Sequence, residues 1–288
     1  MESIMEKSRA KINLSLDILG ILPNGYHEVE MIMQQIDLYD LVSVSHIPEG
    51  IEITSNLYYL PTDQTNIAWK AANLLIETYG IQSGVKIHLE KRVPVAAGLA
   101  GGSANAAAVM RAMNRLFELD LSKEEMMAHG LTLGADVPFC FLEGAAVARG
   151  IGEVLTPIKS LQNVWVLLAK PNLGVSTKEV YRLYDQHEIL RHPNTPMLID
   201  AVESNNLQCL SKEMFNVLEE VTTSLYPIVS EVKRRMRQSG ATCTMMSGSG
   251  PTVFGLFTHY DRGQKAEKQL KKWYQQTYLV KIYSGGNL

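Results

Sequence analysis

The segment that most constrains this chain is Pro94-Val95-Ala96-Ala97-Gly98-Leu99-Ala100-Gly101-Gly102-Ser103-Ala104-Asn105. Upstream of it, Val85, Ile87 and Leu89 alternate with Lys86, His88 and Glu90, the period of a half-buried strand. Downstream, Val109, Met110, Met113, Leu116 and Phe117 recur at helical spacing. Strand, side-chain-poor loop and helix therefore follow one another. Such a loop leaves backbone N–H groups free to point at one spot, and the helix dipole adds partial positive charge there. Together these make a phosphate site. A plain strand-to-helix turn also uses glycine for tight geometry. Three glycines, four alanines and one hydroxyl in twelve positions go beyond what a turn needs. The spacing matches neither the P-loop nor the dinucleotide fingerprint.

At 288 residues the chain has room for one large domain or two moderate ones, and a 46% hydrophobic content suffices for a sizeable core. A formal net charge of −3 gives no electrostatic reason to expect nucleic acid or a membrane surface. Cys140, Cys209 and Cys243 lie far apart, with neither a Cys-x-x-Cys pair nor zinc spacing, which fits a reducing compartment. Residues 1–9 are charged and lack the apolar core of a signal peptide. No apolar run approaches membrane-spanning length. The expectation is a cytoplasmic soluble protein.

Taken in order, Ile12, Leu14, Leu16 and Ile18 alternate with Asn13, Ser15 and Asp17, so they predict a strand with Lys11 and Asn13 on the face opposite the apolar residues. Leu22-Pro23-Asn24-Gly25 is a turn that delivers Tyr26-His27-Glu28. Residues 29–45 predict one or two further strands, and residues 51–54 a short one. Asn66 opens a helix that stops at Gly80. Ser122 with Glu125 predicts a capping box. Gly134-Ala135-Asp136-Val137-Pro138 ends that helix in a sharp bend with Asp136 at its tip. A glycine-punctuated stretch, 144–152, precedes Glu153, and the first half closes over residues 157–162.

Residues 164–169 read as a buried strand. Ser176-Thr177 caps a helix carrying Val180, Tyr181 and Tyr184, and residues 193–197 read as loop before a short helix. Leu225, Ile228, Val229, Val232 and Met236 predict one amphipathic helix. Strands at 241–246 and 253–257 flank a second glycine-rich loop, Ser247-Gly248-Ser249-Gly250-Pro251. A last helix marked by Ala266, Leu270 and Trp273 precedes a strand at 278–283. The mixture predicts an α+β fold with two lobes, 1–159 and 160–288.

Five separated stretches now resemble one family in order. They are Ala10-Lys11-Ile12-Asn13-Leu14, Gly25-Tyr26-His27-Glu28, the first glycine loop, Gly134-Ala135-Asp136-Val137-Pro138, and the second glycine loop. Together they look like the GHMP small-molecule kinases, from about Lys11 to the last strand. The resemblance implies a two-lobed fold with an ATP site and an acceptor site in the cleft between lobes. It implies ATP as co-substrate, with Mg²⁺. The Ala-Lys-Ile-Asn-Leu plus Gly-Tyr-His combination is similar to members whose acceptor carries a cytidine diphosphate group, in non-mevalonate isoprenoid biosynthesis. Two positions depart from the pattern. Ser8-Arg9 stands where Ala-Pro is usual, and Asn105 where an acidic residue is frequent, which removes a charge near the phosphates.

The resemblance assigns roles residue by residue. Asp136 would be the base for the attacking hydroxyl and Lys11 the cation that keeps it ionised. Pro94, Val95, Ala96, Ala97, Gly98, Leu99, Ala100, Gly101, Gly102, Ser103 and Ala104 would bind ATP, so a branched side chain at Gly101 is expected to weaken that binding. The Ser103 hydroxyl can reach a phosphate or Mg²⁺, or cap the helix. Asn66 and Lys91 match positions near the nucleotide; Lys91 reads equally well as a surface charge. Tyr26 and Tyr181 would stack on cytosine, His27 would bond its edge, Thr177 would supply a hydroxyl nearby, and Asn13 would orient the acceptor hydroxyls. Tyr181 can also be core packing. The histidines show no metal spacing, so no resident metal site is expected. Two rivals remain: a homoserine- or mevalonate-type kinase, against which Tyr26-His27 argues, and a non-catalytic ligand sensor on the same fold, which would need neither Lys11 nor Asp136.

Overall fold

The computed structural model describes residues 3–285; the amino-terminal reading and the outer ends of the two expected lobes fall partly on residues 1–2 and 286–288, outside the described residues. Two compact units form, neither of them contiguous in sequence. The first takes residues up to Ala10, Leu38–Val95 and Ala100–Leu142; the second takes Lys11–Asp37, Ala96–Leu99 and the chain from Glu143 onward. Strands β1 (Ser3–Ile21) and β2 (His27–Ile47) pair with each other, and each contributes residues to both units.

In the first unit β3 (Ile51–Ser55) runs parallel to β4 (Gly84–Glu90), which pairs antiparallel with Leu41–Ile47 of β2. Helices α1 (Ile67–Tyr79), α2 (Gly101–Leu116) and α3 (Lys123–Leu133) and a 3-10 turn (Pro138–Phe141) complete it. Val42, Val44, Ile53, Val85, Ile87 and Leu89 share one core with Ala68, Ala71, Ala72 and Leu75 of α1 and the alanine-rich face of α2. Alanines on both helices leave little bulk between their backbones. The α1 ends follow the sequence signals: the Asn66 side chain accepts from Ala68 N, and Gly80 adopts a left-handed φ of 62°. The Ser122–Glu125 capping box at α3 is also formed.

The second unit holds β5 (Ala145–Arg149) between Met31–Gln34 of β2 and β6 (Val154–Ile158). It also holds an antiparallel four-stranded sheet in the order β10-β7-β9-β8, made of β7 (Trp165–Lys170), β8 (Cys243–Met246), β9 (Val253–Phe257) and β10 (Gln276–Lys281). Its helices are α4 (Thr177–Tyr184), α5 (Thr195–Glu203), α6 (Leu207–Glu213), α7 (Val217–Leu225), α8 (Ile228–Gln238) and α9 (Tyr260–Leu270). Helix α8 lies so near β9 that a Cβ on Gly255 would sit 2.5 Å from the Met236 sulfur. Burial pushes the Cys243 thiol up to about 12, so it stays protonated, and no disulfide joins Cys140, Cys209 or Cys243. No helix among the described residues is long and apolar enough to cross a membrane.

Several boundaries differ from the sequence reading. Residues 29–45 form part of one long strand. The glycine-punctuated stretch and Pro157 belong to the β5–β6 hairpin, with Pro157 opposite Ala146. Residues 195–197 are the first turn of α5, because Asn194 caps it through Met197 N and Pro196 sits at a tolerated early position. Leu225 ends α7 rather than starting α8, since Pro227 separates the two. Trp273 lies beyond α9 and is exposed.

Candidate active site

On β1 the alternation expected to place Lys11 and Asn13 opposite the core does so, yet that face is buried as well: Lys11, Asn13, Ser15 and Asp17 are all at least nine-tenths covered. A buried polar row needs partners, and the second unit supplies them. Lys11 Nζ donates to Asn13 Oδ1 at 2.7 Å and to the Gly98 carbonyl at 3.3 Å, while Lys11 N donates to Leu99 O at 3.1 Å. Asn13 Nδ2 faces the Met31 sulfur, Ser15 Oγ accepts from Ile32 N, and Asp17 pairs with His192 at 2.7 Å.

The Gly98 carbonyl also accepts from Ser247 Oγ at 2.9 Å, so the first glycine loop, the second glycine loop and Lys11 meet at one oxygen. The contact is close: a Cβ on Gly98 would lie 2.2 Å from the Ser247 carbonyl, and Gly98 has a φ of +73°. Ala96 and Ala100, at φ 49° and 54°, take the same left-handed turn, where a side chain is uncommon. Such strain clusters at ligand clamps. Asn216 holds the second loop from outside, donating to Met246 O and Gly248 O, while Thr222 donates to Ser249 O. Thr177 Oγ1 lies 2.8 Å from Ser249 Oγ.

Helix α2 opens without a side-chain cap, because its N-cap is Ala100. Ser103 is therefore a first-turn residue and not the cap that the sequence suggested. Amides at the start of α2 are left for a ligand or water. Gly101 is helical and has no left-handed φ; a Cβ there would meet Val93 Cγ1 at 3.0 Å. The constrained glycine is thus Gly98 rather than Gly101. If the loop holds a nucleotide as the family resemblance implies, Gly98→Ala should weaken ATP binding by about tenfold or more, since a backbone carbonyl must move to admit the methyl group. Calorimetric titration of the folded variant checks this, and unchanged affinity would reduce the loop to a structural turn.

In the first unit Lys91 is 7% exposed, which removes the surface-charge reading. Its Nζ pairs with Asp40 Oδ2 and donates to Asn105 Oδ1 at 2.8 Å. Asp40 Oδ1 accepts from the backbone of Arg92 and Val93 at 2.7 and 2.8 Å. Asn105 Nδ2 donates to Ser8 Oγ at 2.8 Å, so two residues that depart from the family pattern bond to each other. Asn66 joins none of this; its side chain caps α1 and donates to Pro61 O. Asp136 sits half-buried in the turn between α3 and the 3-10 helix.

Tyr26 stands 62% exposed beyond the Asn24-Gly25 turn. His27 packs its ring 4.9 Å from that of Tyr181 and 6.3 Å from that of Tyr184, and its Nε2 lies 2.7 Å from Asp185 Oδ1. Burial first, then Asp17 and Asp185, push the Tyr184 phenol above its ordinary value, so it stays neutral. Among the described residues no three His, Cys, Asp or Glu side chains gather as a metal site. Sequence reasoning missed Asp40, Asp185, His192 and Asn216. Only Asn216, ahead of the Val217-Leu218-Glu219-Glu220 helix start, carried a local signal, as an N-cap.

Residues 66–144 match the GHMP kinases N terminal domain, and residues 198–276 the GHMP kinases C terminal domain. The chain is 52% identical to the 4-diphosphocytidyl-2-C-methyl-D-erythritol kinase of Alkaliphilus metalliredigens, over 99% of this chain and 98% of that one. It is 47% identical to the enzyme of that name from Clostridium botulinum (strain Alaska E43 / Type E3), over 96% and 98%. The crystal structure of a 4-(cytidine 5'-diphospho)-2C-methyl-D-erythritol kinase superposes with a TM-score of 0.84 at 32% identity, covering 98% of this chain and all of that one. A homoserine kinase from Cytophaga hutchinsonii, at 21% identity and a TM-score of 0.80 over 99% and 96% of the two chains, shares the fold.

Proposed function

This chain belongs to the GHMP kinases and, within them, to the 4-diphosphocytidyl-2-C-methyl-D-erythritol kinases; from that premise we infer that it transfers the γ-phosphoryl group of ATP to the 2-hydroxyl of 4-diphosphocytidyl-2-C-methyl-D-erythritol, a step of non-mevalonate isoprenoid biosynthesis. The acceptor oxygen attacks the γ-phosphorus, the bond to the bridging oxygen breaks, and ADP leaves. The hydroxyl proton goes to a base. Such transfer rests on positioning and on neutralising phosphate charge.

The observation that best supports phosphoryl chemistry is the meeting of Lys11 and both glycine loops at the Gly98 carbonyl. It fastens a cation and a strained, side-chain-poor backbone to one point. In our assignment Asp136 takes the acceptor proton and Lys11 supplies positive charge to the reacting groups. The start of α2, with Ser103, takes phosphate oxygens through N–H and O–H donors. Mg²⁺ would arrive with the nucleotide and, bound, neutralise phosphate charge. Ser103 is an oxygen donor suited to it. Asn105 is not, because its oxygen already accepts from Lys91 and its nitrogen donates to Ser8 and Asp40. Tyr26, His27 and Tyr181 recognise the cytosine, Thr177 supplies a hydroxyl beside them, and Asn13 orients the acceptor hydroxyls.

The direct test is ADP formation with and without the acceptor, with product analysis. ADP released only with the cytidyl acceptor, together with its monophosphate, is the expected result. Preference for homoserine or mevalonate would overturn the assignment. A variant separates the two ends of the acceptor site. Stacking on an aromatic ring contributes about 1–3 kcal/mol per base. Tyr26→Ala should therefore raise the acceptor KM by about tenfold or more and leave the KM for ATP nearly unchanged. Equal effects on both substrates would indicate damage to the fold instead.

A further inference from the structure

One contact in the second unit bears on which base the site accepts. His27, at the start of β2, and Asp185, at the C-terminal end of α4, are 158 residues apart in sequence, yet His27 Nε2 lies 2.7 Å from Asp185 Oδ1. The His27 side chain is 15% exposed, and the rings of Tyr181 and Tyr184 flank it. An ionised carboxylate only accepts hydrogen bonds, so Nε2 must carry the hydrogen. In a neutral imidazole the other nitrogen, Nδ1, is then a bare acceptor. The partner of one ring nitrogen in this way sets the role of the other.

We propose that Asp185 is a specificity-determining positioning residue: it holds His27 in the Nε2–H tautomer, so that Nδ1 accepts from the exocyclic amino group of cytosine. Cytosine presents a donor at N4, whereas a uracil-type base presents the acceptor O4 at the same position. A uridine acceptor would set that oxygen against a lone pair. Sites built around one hydrogen-bond pattern reject the wrong partner strongly, because a polar group is left unpaired. The proposal rests on the reading above that His27 faces the cytosine edge.

The test is Asp185→Asn, with Asp185→Glu as the conservative partner. An amide can turn its NH₂ toward Nε2 and draw the ring proton to Nδ1. Two readouts are taken on the full chain: kcat/KM for the cytidine and uridine forms of the diphosphate acceptor, and ¹⁵N NMR of labelled imidazoles. The expected result for Asp185→Asn is a fall of about tenfold or more in cytidine-over-uridine discrimination, carried by the acceptor KM. The KM for ATP should not move, and the His27 ¹⁵N pattern should lose its Nε2–H signature. Asp185→Glu should keep most of the discrimination. Unchanged discrimination in Asp185→Asn, or a parent protein whose His27 lacks the hydrogen on Nε2, overturns the role of Asp185 alone. A parent protein that uses both acceptors equally, or neither, overturns the cytidine reading itself and the proposal with it.

Discussion

Asp136→Asn lowers turnover by about a hundred- to ten-thousand-fold, the usual worth of a general base, while nucleotide affinity stays near that of the parent. The amide keeps the shape of the carboxylate but cannot take the acceptor proton. The surroundings favour a clean result. Val137, Pro138 and Phe139 are buried, and the bend is closed by Val137 N to Gly134 O and Cys140 N to Val137 O, both at 3.0 Å. The Cys140 thiol donates to the Asp136 carbonyl. Gly130 on α3 adds to this, since a Cβ there would come within 2.8 Å of Val137 Cγ1. The main chain that carries Asp136 is thus set by neighbours that the substitution leaves alone. Steady-state kcat, paired with calorimetric titration of the nucleotide, checks it. Turnover within a few-fold of the parent would take Asp136 out of the reaction.

Asp40→Ala destabilises the chain by about 3–5 kcal/mol, the cost of stranding a buried charge. Asp40 is fully buried and Lys91 nearly so. Removing the carboxylate leaves the Lys91 ammonium with Asn105 Oδ1 but no counter-charge. It also strips the acceptor from the Arg92 and Val93 amides, which lead directly into Pro94 and the first glycine loop. Asp40→Asn keeps an oxygen for those amides but turns an NH₂ toward Lys91 Nζ and Asn105 Nδ2, both of which donate to Asp40 Oδ2, so it should also be clearly destabilised. Urea denaturation midpoints at matched slopes measure both. A loss below about 1 kcal/mol for the alanine variant, typical of an exposed ion pair, would mean that water reaches this cluster.

Much of this molecule was legible from one dimension. Alternation, capping pairs and glycine spacing are local: Asn66 with Ala68, Ser122 with Glu125, and Gly80 at the end of α1 act within a few residues of one another. A physical rule with so short a reach can be read off the chain, as can the strand–loop–helix order around residues 94–105. The α5 start and the α7–α8 break were misread for a different reason. Asn194, Pro196 and Pro227 are punctuation marks that either open or stop a helix, and neighbouring apolar residues did not decide which.

Local rules along the chain prescribe most of the strands, the caps of α1, α3 and α4, both glycine loops and the presence of Lys11 and Asp136 in the family pattern. Tertiary structure alone decided which polar groups are buried and with whom. Alternation on β1 says that Lys11, Asn13, Ser15 and Asp17 share a face; it cannot say that this face is covered, because the covering residues, such as Gly98 and His192, lie far along the chain. The same holds for Lys91, which nothing local distinguishes from a surface lysine until Asp40, 51 residues away, closes on it. His27 and Asp185 repeat the point over 158 residues. Burying a charge or a donor is costly unless a partner is placed within hydrogen-bond reach. The fold supplies that partner, by bringing together segments whose separation in sequence exceeds any local periodicity.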